Sequence, residues 1–205
     1  MNAARPLDKN EKAILEDDLV HEATPFAIGA GLIQPNLAMD PGLVYDMNHY
    51  DYLNFLCAHH INSSAIRTFA EQHNYNCPSS FSLMDFNYPS ITIPDFTGNA
   101  VATRKLKNVG TPNTYKARIH APLGISISVE PKKLVFTKVD QEIMLKLVFT
   151  ADNVTHLPMD YSFGSLVWSD GKHVVRSPIS IKPKTPTVAP VGNGKCSTKK
   201  PTPTP

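Results

Sequence analysis

Motifs that carry chemistry are what this sequence most lacks. Gly124-Ile125-Ser126-Ile127-Ser128 fails the nucleophile-elbow pattern at its last position, and His21-Glu22 is followed by Ala-Thr-Pro rather than by the spacing of a zinc protease helix. No Cys-x-x-Cys pair occurs, and Gly194-Lys195-Cys196 lacks both the upstream glycine and the hydroxyl of a phosphate loop. Gly29-Ala30-Gly31 marks a tight backbone, but no third glycine follows to make a dinucleotide fingerprint. No apolar stretch approaches the roughly 18 residues that cross a bilayer, and the first ten residues have no apolar signal-peptide core. Residues 182–205 hold five lysines and no acid, leaving a body with 15 basic against 18 acidic side chains. A slightly acidic body gives no electrostatic footing for nucleic acid. His59, His60, His73 and Cys77 are the residues a zinc ion would want. Adjacent histidines at a helix end point apart, so no metal or cofactor is expected.

What is present is a change of period. Asn48 caps a predicted helix whose Tyr52, Leu53, Phe55 and Leu56 are spaced for one apolar face, and a second helix starts at Ser63 or Ser64 with Ile66, Phe69 and Ala70. From Phe81 the apolar repeat becomes two. Strands are predicted over 88–93, 101–109, 115–120, 125–129, 134–136 and 143–150, with a turn at Gly110–Asn113 whose Pro112-Asn113 suits type II. The last pair, Phe163–Ile181, reads as a hairpin closed by a two-residue type I′ turn at Asp170-Gly171. Trp168, the single tryptophan, is the largest group available to an inter-sheet core. Seven or eight short strands at 8–12-residue spacing argue for a β-sandwich. Leu43-Val44-Tyr45 is read as a packing segment.

Three cysteines leave one over if a disulfide forms. Cys57 and Cys77 flank the second helix; they are either two separate buried thiols or a bridge closing a loop of about 20 residues, worth roughly 3 kcal/mol. Asn62 (Asn-Ser-Ser) and Asn153 (Asn-Val-Thr) are the two glycosylation sequons. Beyond Ile181 Pro, Thr and Lys dominate the chain, a composition expected to be extended and to leave Cys196 exposed.

Several stretches together carry a likeness. Ala23-Thr-Pro-Phe-Ala, Gln34-Pro-Asn, Asp40-Pro-Gly-Leu-Val-Tyr-Asp46, Asp51-Tyr-Leu-Asn-Phe-Leu-Cys57, Asp85-Phe-Asn-Tyr-Pro-Ser-Ile91, Leu106-Lys-Asn-Val-Gly110 and Ser128-Val-Glu-Pro131 occur in order. Over residues 1 to about 182 the chain resembles the carboxy-terminal third of plant subtilisin-like serine proteases related to cucumisin. It departs from them in Leu32, where the family has histidine, and in His59-His60-Ile61, where the family has Leu-Gly-Tyr. The second change removes a glycine suited to ending a helix.

The resemblance implies a mainly β fold. A short helical and irregular remnant of a catalytic domain (1–48) and a helical connector (49–80) would precede a fibronectin type III-like sandwich (81–182) and a disordered tail (183–205). It further implies a secreted, apoplastic endopeptidase whose catalytic Asp, His and Ser motifs belong before Met1, since Met1-Asn-Ala-Ala4 is similar to a segment that follows the nucleophile. The expectation is therefore no catalytic residue here and a structural role beside a catalytic domain in cis. The alternative is an extracellular binding module associating with cell-wall polysaccharide through its basic tail. In either case neither nucleic acid nor membrane is an expected partner.

Overall fold

The computed structural model describes residues 3–70 and 75–184. Two four-residue helical turns, α1 (Pro25–Ile28) and α2 (Pro35–Ala38), each begin with a proline, whose fixed φ and missing N–H suit a helix start. A short strand β1 (Leu43–Val44) follows, then helices α3 (His49–Ala58) and α4 (Ser63–Phe69). Eight further strands complete the described chain: β2 (Ile91–Phe96), β3 (Asn99–Asn108), β4 (Thr114–His120), β5 (Ile125–Glu130), β6 (Lys133–Val135), β7 (Glu142–Ala151), β8 (Ser162–Ser169) and β9 (Val174–Pro183).

They form two sheets, ordered β1-β3-β7-β5 and β2-β9-β8-β4-β6. β7 shows why they face each other. Its Leu145, Leu147 and Phe149 are buried at alternate positions while Glu142, Met144 and Lys146 are exposed. Trp168, Tyr115, Ile179 and Ile181 of the other sheet fill the same core. Trp168 has no exposed surface. The mainly β sandwich expected from the sequence is the observed architecture.

Four local expectations are corrected. First, the β8–β9 connection spans residues 170–173, because Ser169 pairs with Val174. Only Gly171 has positive φ (97°), so this is not a type I′ turn. Instead the Asp170 carboxylate accepts the amides of Lys172 (2.9 Å) and His173 (2.6 Å), which turns the chain with side-chain hydrogen bonds. Second, Asn113 lacks the positive φ of a type II turn. Its amide is used elsewhere, on Asp170.

Third, the apolar residues of α3 divide between two faces. Leu53, Leu56 and Cys57 pack on Ile66 and Ala70 of the α4 region, whereas Tyr52 and Phe55 turn to Phe86 at ring distances of 6.1 and 4.8 Å. Fourth, Phe69 is exposed rather than packed with Ile66. The Asn48 cap is present as a reciprocal capping box with Asp51.

Two features anchor the flanking segments to the sandwich. β1 belongs to it: Leu43 and Val44 pair with Asn108 and Lys107, Leu43 is fully buried, and the Tyr45 hydroxyl lies 2.6 Å from Ser177 Oγ. Beyond β1 the outer edge of β3 is covered by side chains. Asp85 Oδ1 accepts the Thr103 amide (2.8 Å), and Asn87 accepts from and donates to the Lys105 backbone (2.7 and 2.9 Å). These bonds occupy edge groups that would otherwise invite another strand.

Candidate functional site

The densest polar constellation surrounds the β8–β9 loop. The Asp170 side chain is wholly buried, and its Oδ2 lies 2.7 Å from His173 Nδ1 and accepts the Asn113 amide at 2.8 Å. His173 is nearly buried. Its Nε2 lies 3.1 Å from Oδ2 of Asp40, an ion-pair distance reached away from the N–H direction. Lys172 Nζ donates to the same Asp40 oxygen at 2.6 Å, and the Tyr115 hydroxyl is 3.3 Å from His173 Nδ1.

Burial pushes the Asp170 carboxyl up, but the His173 ring and the His173 and Lys172 amides overcome it and hold the group at about 2. Burial pushes His173 down, and the bond to Asp170 together with the adjacent Asp40 carboxylate reverses this and leaves it raised. Burial, then the Asp170 charge, raises Tyr115. The arrangement clamps residue 40 to the sandwich across 132 positions of sequence.

An aspartate paired with a histidine invites comparison with a hydrolase triad, which needs a hydroxyl or thiol at the second ring nitrogen. Here that nitrogen faces a carboxylate, and Ser169 Oγ is occupied by the Gly171 amide. What this geometry does is hold the β8–β9 loop and residue 40 together through paired charges.

A second feature is apolar. The segment before β1 lies on the outer face of the β8–β9 sheet, where Phe26 packs edge-on to Tyr161 and Phe163 at 4.7 and 5.4 Å. Arg176 donates to the Ala30 carbonyl. Gly31 (φ +110°) lets the chain pair with Arg5, since a Cβ there would sit 2.0 Å from the Arg5 carbonyl oxygen. The segment also exposes large apolar side chains: Leu19 at 75%, Val20 at 74%, Ile33 at 78% and Met39 at 87%. Leu32, the departure from the family's histidine, is among the half-exposed ones.

The described residues include the predicted cysteine pair and both sequons. Cys57 and Cys77 are joined, with Cα atoms 5.7 Å apart. Asn62 and Asn153 are exposed, and each uses its carbonyl oxygen to cap a helical turn, through the amides of Ser64 and Thr155. Of the hypothetical zinc set, Cys77 is in the disulfide, His59 packs edge-on to Phe55 at 4.5 Å and His73 lies outside the described residues. The Pro-Thr-Lys tail beyond Lys184 and Cys196 also lie outside them. The Asp40–His173–Asp170 clamp was not anticipated. Asp170 could be read as a turn former, but nothing local points to Asp40.

A fibronectin type-III domain family model matches residues 85–181. Subtilisin-like protease SBT5.4 of Arabidopsis thaliana is 47% identical over 173 residues, which is 84% of this chain and 22% of that protein. The chain belongs to the plant subtilisin-like protease family. Subtilisin-like protease SBT5.3 of the same plant is 47% identical over 78% of the chain and 21% of its own length. Subtilisin-like protease Glyma18g48580 of Glycine max is 40% identical over 89% and 23%. This member of the plant subtilisin-like proteases thus spans about a fifth of the length of its relatives, and what it carries is their carboxy-terminal, fibronectin type III-like portion.

Proposed function

We propose that this chain is the non-catalytic, load-sharing module of a secreted plant serine endopeptidase. It would pack against the peptide-hydrolysing portion, stabilise it and shape access to its cleft. The observation that carries the reading is that the segment ahead of β1 is both anchored to the sandwich and rich in exposed apolar side chains. Phe26, Ala30 and Asp40 tie it to the sandwich, while Leu19, Val20, Ile33 and Met39 are left exposed. Large apolar side chains gathered in one segment mark a surface meant to be covered. The second ring nitrogen of His173 facing Asp40 supports the non-catalytic part of the reading.

In the whole protein, peptide hydrolysis would proceed through a Ser-His-Asp triad on the part of the relatives that this chain does not match. Incubation of the purified 205-residue chain with casein and fluorogenic peptides tests this. The expected result is no turnover and no labelling by a serine-directed phosphonate. Turnover that the phosphonate blocks overturns the proposal.

A further inference from the structure

A cleft of about 390 Å³ lies between α3, the 83–90 loop and β2. Its volume falls within the range of small-molecule sites. Phe55, Phe86 and Tyr88 wall it. Phe86 sits 4.8 Å from Phe55 and lies parallel to Tyr88 at 6.1 Å, so the cleft presents flat aromatic surface. His59 closes the rim against Phe55.

Arg104 also lines the cleft and is only 4% exposed. Its Nε donates to Tyr88 O (3.1 Å), Nη1 to Met84 O (2.6 Å) and Thr103 O (2.7 Å), and Nη2 to Ser90 O (3.3 Å). All four acceptors are neutral carbonyls. A guanidinium has five N–H groups, so Nη2 retains one beyond these four bonds. Among the described residues the nearby acid is Asp85, and its Oδ1 is bonded to the Thr103 amide and hydroxyl rather than to the guanidinium. The guanidinium is thus bonded to carbonyls alone and feels the Asp85 charge without a direct bond to it, and a carboxylate is the natural complement of its remaining N–H.

We propose that this cleft binds a small carboxylate with an aromatic body, its ring stacked among Phe55, Phe86 and Tyr88 and its carboxylate on Arg104. The site does not rest on the role proposed for the segment ahead of β1 and uses none of its residues. Aromatic rings supply affinity through stacking and burial, and the charge supplies selectivity for acids over neutral analogues.

Calorimetry on the full chain tests this with three probes: 3-phenylpropionate, the neutral 3-phenylpropanol and the ringless propionate. The acid should bind about tenfold or more tightly than the alcohol, and propionate should bind more weakly than either. Arg104→Gln should remove the preference for the acid while retaining the alcohol. Because Arg104 also holds the 83–90 loop, Thr92→Trp provides a second variant: it alters an exposed residue, fills the cleft and should abolish binding of both aromatic probes. Equal binding of acid and alcohol, no binding of either at millimolar concentration, or 3-phenylpropionate binding unchanged in Thr92→Trp would each overturn the proposal.

Discussion

His173 bridges two carboxylates, with Nδ1 2.7 Å from the buried Asp170 and Nε2 3.1 Å from Asp40. Each partner's titration therefore enters the stability of the loop, with opposite sign. His173 is raised from 6.5, so its contribution is complete below that value and disappears as pH climbs through the raised one. Asp170 is held at about 2 against an ordinary 3.8, so its contribution is present above 3.8 and disappears as pH falls toward 2. The melting temperature should be highest between about pH 4 and 6.5 and fall on both sides. In His173→Gln the fall above pH 6.5 should flatten, which thermal melts across pH would show.

Asp170→Asn keeps the size of the side chain but removes the charge facing His173. Losing one member of a buried, hydrogen-bonded pair should destabilise the fold by about 3 kcal/mol at pH 5. Chemical denaturation, followed by the emission of buried Trp168, gives the number.

Helix α3 ends in a motif that asks for glycine. Ile61 N donates to Leu56 O (3.3 Å) and His60 N to Cys57 O (3.0 Å), with His60 at φ +56°. These are the two bonds of a Schellman cap, and a side chain at its left-handed position is strained. His60→Gly should stabilise the helical connector by about 0.5–1 kcal/mol, measured as slower amide exchange across α3.

Reduction should act locally. Cys57–Cys77 encloses α4, whose Ile66 packs with Leu53 and Ala70 in a cluster separate from the sandwich core. Loss of the bridge should weaken this cluster by about 3 kcal/mol and leave the sandwich intact. Hydrogen exchange with and without reductant should show faster exchange at 49–70 and none of it in β3, β7 or β8.

Gly164 leaves no room for a side chain, since a Cβ would meet the His120 carbonyl oxygen at 2.4 Å and Pro122 Cδ at 2.8 Å. Backbone must move to admit a methyl group, so Gly164→Ala should cost about 1–3 kcal/mol. A denaturant midpoint unchanged from the parent chain would contradict the packing described for β8.

The sheets were legible because β5 and β7 each bury one face, and strict alternation along Ile125–Val129 and Ile143–Phe149 survives folding unchanged. The faces of α3 were not. Spacing alone groups Tyr52 with Leu53, while the choice of neighbour depends on where Phe86 lies, 34 and 31 residues beyond Tyr52 and Phe55. β9 shows another limit. Pro178 and Ser180 are buried on what would be a wet face, where residues 25–30 lie against them from far earlier in the chain. The clamp was hidden for the same reason: a contact between Asp40 and His173 leaves no mark on either local pattern.

The most direct measurement of the docking role mixes this chain with the separately produced catalytic portion of the Arabidopsis relative SBT5.4, lacking its own carboxy-terminal part, and follows association by sedimentation. A one-to-one complex should form, and Ile33→Asp with Met39→Asp should weaken it by about tenfold or more while Trp168 emission stays unchanged. No complex, or a complex indifferent to both substitutions, would contradict the account.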